Sequence, residues 1–325
     1  MDEPLLAFAR SLKVSQCRIL NTPNVIFLCG GRTSDPKRVD LPYRSVRDYF
    51  FRHIKTNNPD IAKRLKLAEE INDWFDQGVF SDLLELEEYL ADLSDVIILF
   101  VESPGSIAEL GAFATSDRVR PKILTIINSL HPGRSFIADG PVRRLKSADP
   151  ALVYSYAWDF EADRINDETN IETLQDLSQE LTRVLVERKL TANKEHKLNL
   201  KSPGHAMLVI ADLIDIIGIT SSREINDCLK ALGQDVHRTV LIKYLFLLEK
   251  LRIVKKLDYS NQVYYVTRNK GPFIRYDFRE EAELTDRDRA KALIRQALRQ
   301  ADQRRVKIYT NYLKRTSRKG EAEYV

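Results

Sequence analysis

The 325-residue chain is long enough for two separate cores, since a single core rarely grows beyond roughly 250 to 300 residues, and its 43% hydrophobic and 30% charged residues are ordinary for a soluble protein. No apolar run approaches the ~20 residues of a membrane span. The acidic start MDEPLLAFAR does not read as a secretory signal, and Cys17, Cys29 and Cys228 are too scattered for a disulfide framework or a zinc site, so we expect a cytoplasmic protein with buried, reduced thiols and no metal.

In chain order, residues 24–29 (NVIFLC) form a short apolar run stopped by Gly30-Gly31, the pattern of a buried parallel strand. Helical spacing of apolar residues follows over 43–55, 62–75 and 83–93. A second apolar run, 95–101 (DVIILFV), leads through Ser103-Pro104-Gly105-Ser106 into a helix over 107–115. Strands are expected over 122–127 and 153–158, then a long amphipathic helix over 171–189. Strands alternating with helices predict an α/β domain with a doubly wound parallel sheet, residues 1–189, that binds ligands at the carboxyl ends of its strands. Residues 190–204 are polar and weakly periodic and read as a linker. Helices over 206–217, 224–232 and 236–251, the second capped by Ser221-Ser222-Arg223-Glu224, precede two strands, 252–257 and 262–267, joined by a turn at 258–261. That order predicts a winged helix-turn-helix over 205–270, with His237, Arg238 and Lys243 of its third helix facing nucleic acid. Residues 271–325 form a basic helical extension containing Arg304 and Arg305.

Charge is distributed unevenly behind a net of +4. No Lys or Arg occurs between Leu67 and Asp117, whereas cations crowd the chain from Arg287 onward. The basic end reads as a nucleic-acid surface or, more simply, as a solvated helix face.

The residues that carry chemistry cluster after the 95–101 strand. Glu109 is expected in the first turn of a helix at a strand's carboxyl end, where the helix field favours its ionised form and free backbone N–H groups hold a phosphate or ribose oxygen. Cleaving a ribosyl C–N bond builds positive charge on the sugar, which such a carboxylate stabilises or captures. The plain structural reading is that Ser106-Ile107-Ala108-Glu109 is a capping box, with Glu109 merely tying off a backbone N–H. Gly30, Gly31 and Arg32 form either a tight turn or a ligand-approach loop, and Asp95 and Asn128 are either ligand-positioning groups or strand-end polar residues. Ser103, Gly105 and Ser106 complete the expected substrate-binding set.

The segment DVIILFVESPGSIAELGAF, with the earlier VIFLCGG, resembles the nucleoside 2-deoxyribosyltransferase-like superfamily, in which a D-S-G-T-x-x-E-hydrophobic-G stretch follows the strand and supplies a glutamate nucleophile. That glutamate matches Glu109. Combined with a C-terminal winged helix, the chain resembles the effector proteins of bacterial retron antiphage systems. The resemblance implies a toxic N-glycosidase, held in check by a retron reverse transcriptase and its RNA-linked single-stranded DNA, that forms a homo-oligomer or higher assembly and has no membrane partner. The motif's leading aspartate, which contacts the nucleobase, is Ser103 here. Its loss fits hydrolysis of NAD, as substrate and not cofactor, because the cationic nicotinamide leaves without a proton, whereas other bases usually need a general acid. A nucleotide-sensing DNA-binding regulator and a nucleoside-monophosphate phosphoribohydrolase are the alternatives. Sequence-specific duplex binding distinguishes the first, and comparing NAD with AMP as substrate distinguishes the second.

Overall fold

The computed structural model describes residues 2–34, 42–71, 78–130, 133–161, 164–165, 167–191, 195–268, 272–282 and 284–318. The elements run α1 (Asp2–Ser11), β1 (Arg18–Ile19), β2 (Ile26–Cys29), α2 (Val46–Asn57), β3 (Leu65–Lys66), α3 (Leu83–Leu93), β4 (Val96–Val101), α4 (Pro104–Thr115), β5 (Ile123–Asn128), α5 (Arg143–Ala148) and β6 (Val153–Tyr156). They continue with β7 (Phe160–Glu161), β8 (Arg164–Ile165), α6 (Asp167–Thr191), β9 (His196–Lys197), α7 (Pro203–Ile217), β10 (Ile219–Thr220), α8 (Ser222–Ala231) and α9 (Arg238–Lys250). The last are β11 (Val254–Tyr259), β12 (Gln262–Thr267), β13 (Ile274–Arg275), α10 (Arg287–Ala301) and α11 (Gln303–Arg318). Two compact units interleave along the chain: Asn24–Asn72 with Leu90–Ala192, and Met1–Pro23 with Asp73–Tyr89 and Asn193–Tyr324.

The first unit is built on a parallel sheet in the order β3-β2-β4-β5-β6. β4 is VIILFV, apolar at every position, because a central parallel strand is covered on both faces. Ile26, Leu28, Ile98 and Phe100 point into a core shared with Phe50 and Ile54 of α2 and Leu174, Leu177 and Leu181 of α6. Phe27 points the other way and meets Phe113 of α4 edge-on, with ring centroids 6.5 Å apart. Because β3 lies outside β2 and β4 lies inside it, the strand order reverses between β2 and β4, the point at which open α/β sheets place a ligand crevice at the carboxyl ends. The helix expected over 62–75 is not formed: Leu65 pairs with Ile26 in β3, and a 3-10 turn spans Ala68–Ile71. A two-residue edge strand carries no periodicity of its own, so its pairing decides its conformation. Residues 72–77 of that stretch lie outside the described residues.

In the second unit α7 is buried around nearly its whole circumference, as its run HAMLVIADLIDII requires. α8 and α9 follow, and β10 joins the β11–β12 hairpin in an antiparallel sheet of order β10-β12-β11. Ser260 adopts φ 54° at the hairpin turn. Within the stretch read as a linker, β9 pairs with β1, which also pairs with β13. Several cations of the basic extension are consumed internally. Arg287 binds the buried Asp212 at 3.1 Å and Asp215 at 2.7 Å, and Lys291 binds Asp215 at 2.7 Å. The three cysteines are buried and outside any disulfide, and among the described residues no helix is long and apolar enough to cross a membrane.

Candidate active site

At that crevice position the loops that follow β2 and β4 meet, Gly31 against Glu102. Gly30 has φ +141°, and a Cβ there would lie 2.8 Å from the Phe100 Cβ. A Cβ on Gly31 would lie 2.8 Å from the Ser45 Cβ and 2.9 Å from Glu102 Oε1. Both glycines are therefore required for the loop to close on β4 and on the start of α2. Glu102 seals that junction: Oε1 accepts from Gly31 N at 3.0 Å and Arg47 N at 3.1 Å, and Oε2 accepts from Val46 N at 2.8 Å. The first amides of α2, the usual anion site at a helix start, are thus occupied by the protein's own carboxylate. Burial nevertheless pushes Glu102 above the usual carboxylate range, against the pull of these three amides and Arg47.

Arg47 lies beneath this junction with a side chain only 3% exposed. Its Nη2 donates to Leu28 O at 2.8 Å and its Nη1 to Gly31 O at 3.0 Å. The same two nitrogens hold Glu69 in a fork at 2.7 and 2.8 Å. Burial raises the Glu69 pKa, but the Arg47 hydrogen bonds outweigh it and hold this carboxyl low.

Glu109 stands on the second turn of α4. The helix begins at Pro104, three residues earlier than expected, and its capping box is Ser103 with Ser106: Ser106 N donates to Ser103 Oγ at 3.2 Å, and Ser106 Oγ accepts from Ser103 N at 2.9 Å. The capping role considered for Glu109 is thereby excluded. Its Oε2 is buried and has no hydrogen-bond partner among the described residues. Glu109 also ionises less readily than a carboxylate in the first turn of a helix. Burial pushes the Glu109 pKa up to about 7, Arg47 pulls it down, and Glu69 pushes it up again. The helix field fades beyond the first turn and cannot offset the desolvation.

Gly30 and Gly31 close on Phe100, Ser45 and Glu102 past the carboxyl ends of β2 and β4, and Ser103, Gly105 and Ser106 form the cap and first turn of α4, the helix that carries Glu109. Gly105 is exposed, and nothing lies closer to its would-be Cβ than Ser103 Oγ at 3.9 Å. Arg32 is exposed, and its carbonyl accepts from Ser45 Oγ at 2.8 Å. Asn128 ends β5 with its amide committed to Trp158 O at 2.9 Å and its oxygen to Leu130 N at 2.9 Å. Asp95 is not brought to the site. It precedes β4, a strand length of about 20 Å from the crevice, and its charge acts on Arg64 and Lys122. Arg47, Glu69 and Glu102 were missed; the available signal was the charged Arg47-Asp48 in the first turn of α2, set between Val46 and the aromatic run Tyr49-Phe50-Phe51.

The residues expected to hold nucleic acid separate into two groups. Arg305 is buried and paired with Glu224 at 2.6 Å, and Lys243 is paired with Glu85 beneath the Phe80 ring. Both are engaged in ion pairs within their own unit. His237 is exposed and accepts from Thr239 N as the cap of α9. Arg238 and Arg304 are exposed.

A profile of the family described as "STM3845 retron effector protein" matches residues 43–256. A retron Ec86 protein of Escherichia coli, named as a proposed ribosyltransferase/DNA-binding protein, is 39% identical over 128 residues, covering 39% of this chain and 38% of its own length. A retron Ec73 protein of Escherichia coli with the same name is 25% identical over 276 residues, covering 79% of this chain and 81% of its own.

Proposed function

This chain belongs to the STM3845 retron effector family, and from that premise we propose that it is the toxic effector of a retron antiphage system that hydrolyses the N-glycosidic bond of NAD or a related nucleotide. The observation that carries this reading is the Glu109 carboxylate, half-buried in the β2/β4 crevice, with one oxygen lacking a hydrogen-bond partner among the described residues. A buried polar atom without a partner is costly, and such atoms cluster where a ligand is to be engaged. In the proposed mechanism the ionised Glu109 faces the anomeric carbon and stabilises or captures the sugar cation as nicotinamide departs with the bonding electrons. Water then delivers hydroxide to that carbon, and its remaining proton passes to solvent. Arg47 holds Glu69 and the Gly31 loop in place around the crevice. The Ser103–Ser106 cap fixes the start of α4, and the exposed Gly105 leaves its backbone accessible to a phosphate or ribose oxygen.

The proposal also includes control by the retron reverse transcriptase and its RNA-linked single-stranded DNA, held through the C-terminal half. The element order α7, α8, α9, β11, β12, with β10 paired to β12, supports reading that half as a winged helix. The test is expression in bacteria of wild type and Glu109→Ala, with and without the partner genes, reading growth and cellular NAD. The expected result is toxicity with NAD loss for wild type alone, suppressed by the partners and abolished by the substitution. Toxicity that survives Glu109→Ala overturns the mechanism.

A further inference from the structure

We propose that α11 and the tip of the β11–β12 hairpin form a binding surface for single-stranded nucleic acid, with phosphates lying along α11 and an unpaired base against Tyr259. This rests on the reading above that the C-terminal half holds nucleic acid, and it specifies the surface.

Three observations converge on it. First, α11 contains no acidic residue, and Arg304, Lys307, Asn311, Lys314 and Arg315 are all exposed. At 100° per residue these five fall within an arc of about 100°, a stripe about 16 Å long. The opposite face, with Arg305, Ile308, Tyr309 and Tyr312, packs into its own unit. The stripe is therefore a one-sided cationic ridge fixed to a buried core. Second, an aromatic ring stands at one end of the ridge. Tyr259 is 46% exposed, the Arg304 guanidinium lies 5.3 Å from its ring centroid, and Arg304 Nη2 donates to Ser260 Oγ at 3.3 Å. A cation line leading to a presented ring is the combination by which single strands are held, through phosphate contacts and base stacking.

Third, the helix a winged helix normally inserts in a DNA groove is covered within the same unit. Phe80 packs edge-on against Phe246 at 5.9 Å, Tyr89 against Tyr244 at 5.7 Å, and Glu85 takes Lys243. What α9 leaves exposed is Arg238, Thr239 and Ile242, too little to follow a groove.

The test uses the full chain, with a fluorescent single-stranded oligodeoxynucleotide and a duplex of the same sequence as probes, followed by anisotropy. Removing three phosphate contacts in Lys307→Ala/Lys314→Ala/Arg315→Ala is expected to weaken single-strand binding roughly 50-fold at 0.15 M salt and to make the log–log salt slope shallower by about 2. Tyr259→Ala is expected to lose roughly 5- to 100-fold on the single strand and nothing on the duplex. All substituted residues are exposed, and an unchanged melting temperature verifies the fold. Triple-variant binding equal to wild type overturns the surface, as does an Arg238→Ala loss matching that of the triple variant. Wild-type protein that sediments with phosphatidylserine vesicles yet ignores both oligonucleotides removes the nucleic-acid reading altogether. Retained oligonucleotide binding in the triple variant removes only this surface.

Discussion

The chain contains the spacing S-x-x-E at two helix starts, Ser106–Glu109 and Ser221–Glu224, and the two glutamates meet opposite fates. Glu224 is a capping-box residue. Its Oε2 accepts from Ser221 N at 2.8 Å, Ser221 Oγ at 2.9 Å and Arg305 Nη2 at 2.6 Å, and its Oε1 accepts from Arg305 Nη1 at 2.8 Å. Burial raises its pKa, but these partners hold it below the usual range. Glu109 lacks such partners because α4 starts three residues earlier and Ser106, already the third residue of the helix, closes the cap with Ser103. Burial then wins, and the group titrates at about 7. The spacing alone cannot distinguish a stabilising carboxylate from one left in an unfavourable protonation balance; the helix register decides. Sites where local satisfaction fails are where function is expected.

Breaking the satisfied glutamate should have the largest effect. Glu224→Ala leaves Arg305 buried without its carboxylate and is expected to cost about 3–5 kcal/mol in denaturant unfolding. The unsatisfied one should respond in the opposite direction. Glu109 has a folded-state pKa above its unfolded one, so the folded chain binds the extra proton between about pH 4.5 and 7, and stability falls as pH rises through that window. Glu109→Gln removes that loss, and is expected to be more stable than wild type by on the order of 3 kcal/mol at pH 8 and little different at pH 4. A destabilised Glu109→Gln at pH 8 would return Glu109 to a structural role. The smallest effect sharpens the register: Ser103→Ala, which removes the actual cap, should cost about 1 kcal/mol by thermal unfolding, comparable to Ser221→Ala.

Much of the first unit was legible in the sequence because its central strands are continuous apolar runs. The 95–101 and 122–127 runs became β4 and β5 within a residue, and the glycine pair after 24–29 marked a close approach. Glu109 and Ser103 lie past the carboxyl end of β4, the position the run of apolar residues indicated. What was not legible depended on partners far along the chain. β3 exists only by pairing with β2, and β9 only by pairing with β1. Arg47 looks like one more surface cation of α2 until Glu69, Leu28 and Gly31 converge on it. Asp95 shares a strand with the site but sits at its wrong end, since strand direction places only the carboxyl end in the crevice. The ion pairs of Lys243 and Arg305 were not legible for a related reason: composition identifies cations but not which of them are already paired.

The most direct test is nicotinamide release from NAD by purified wild type and Glu109→Gln between pH 5 and 9. If the ionised Glu109 is the reacting group, wild-type turnover rises through an inflection near pH 7, and the variant loses roughly 10³-fold or more at every pH. A Glu109→Gln protein that releases nicotinamide at the wild-type rate would contradict the account.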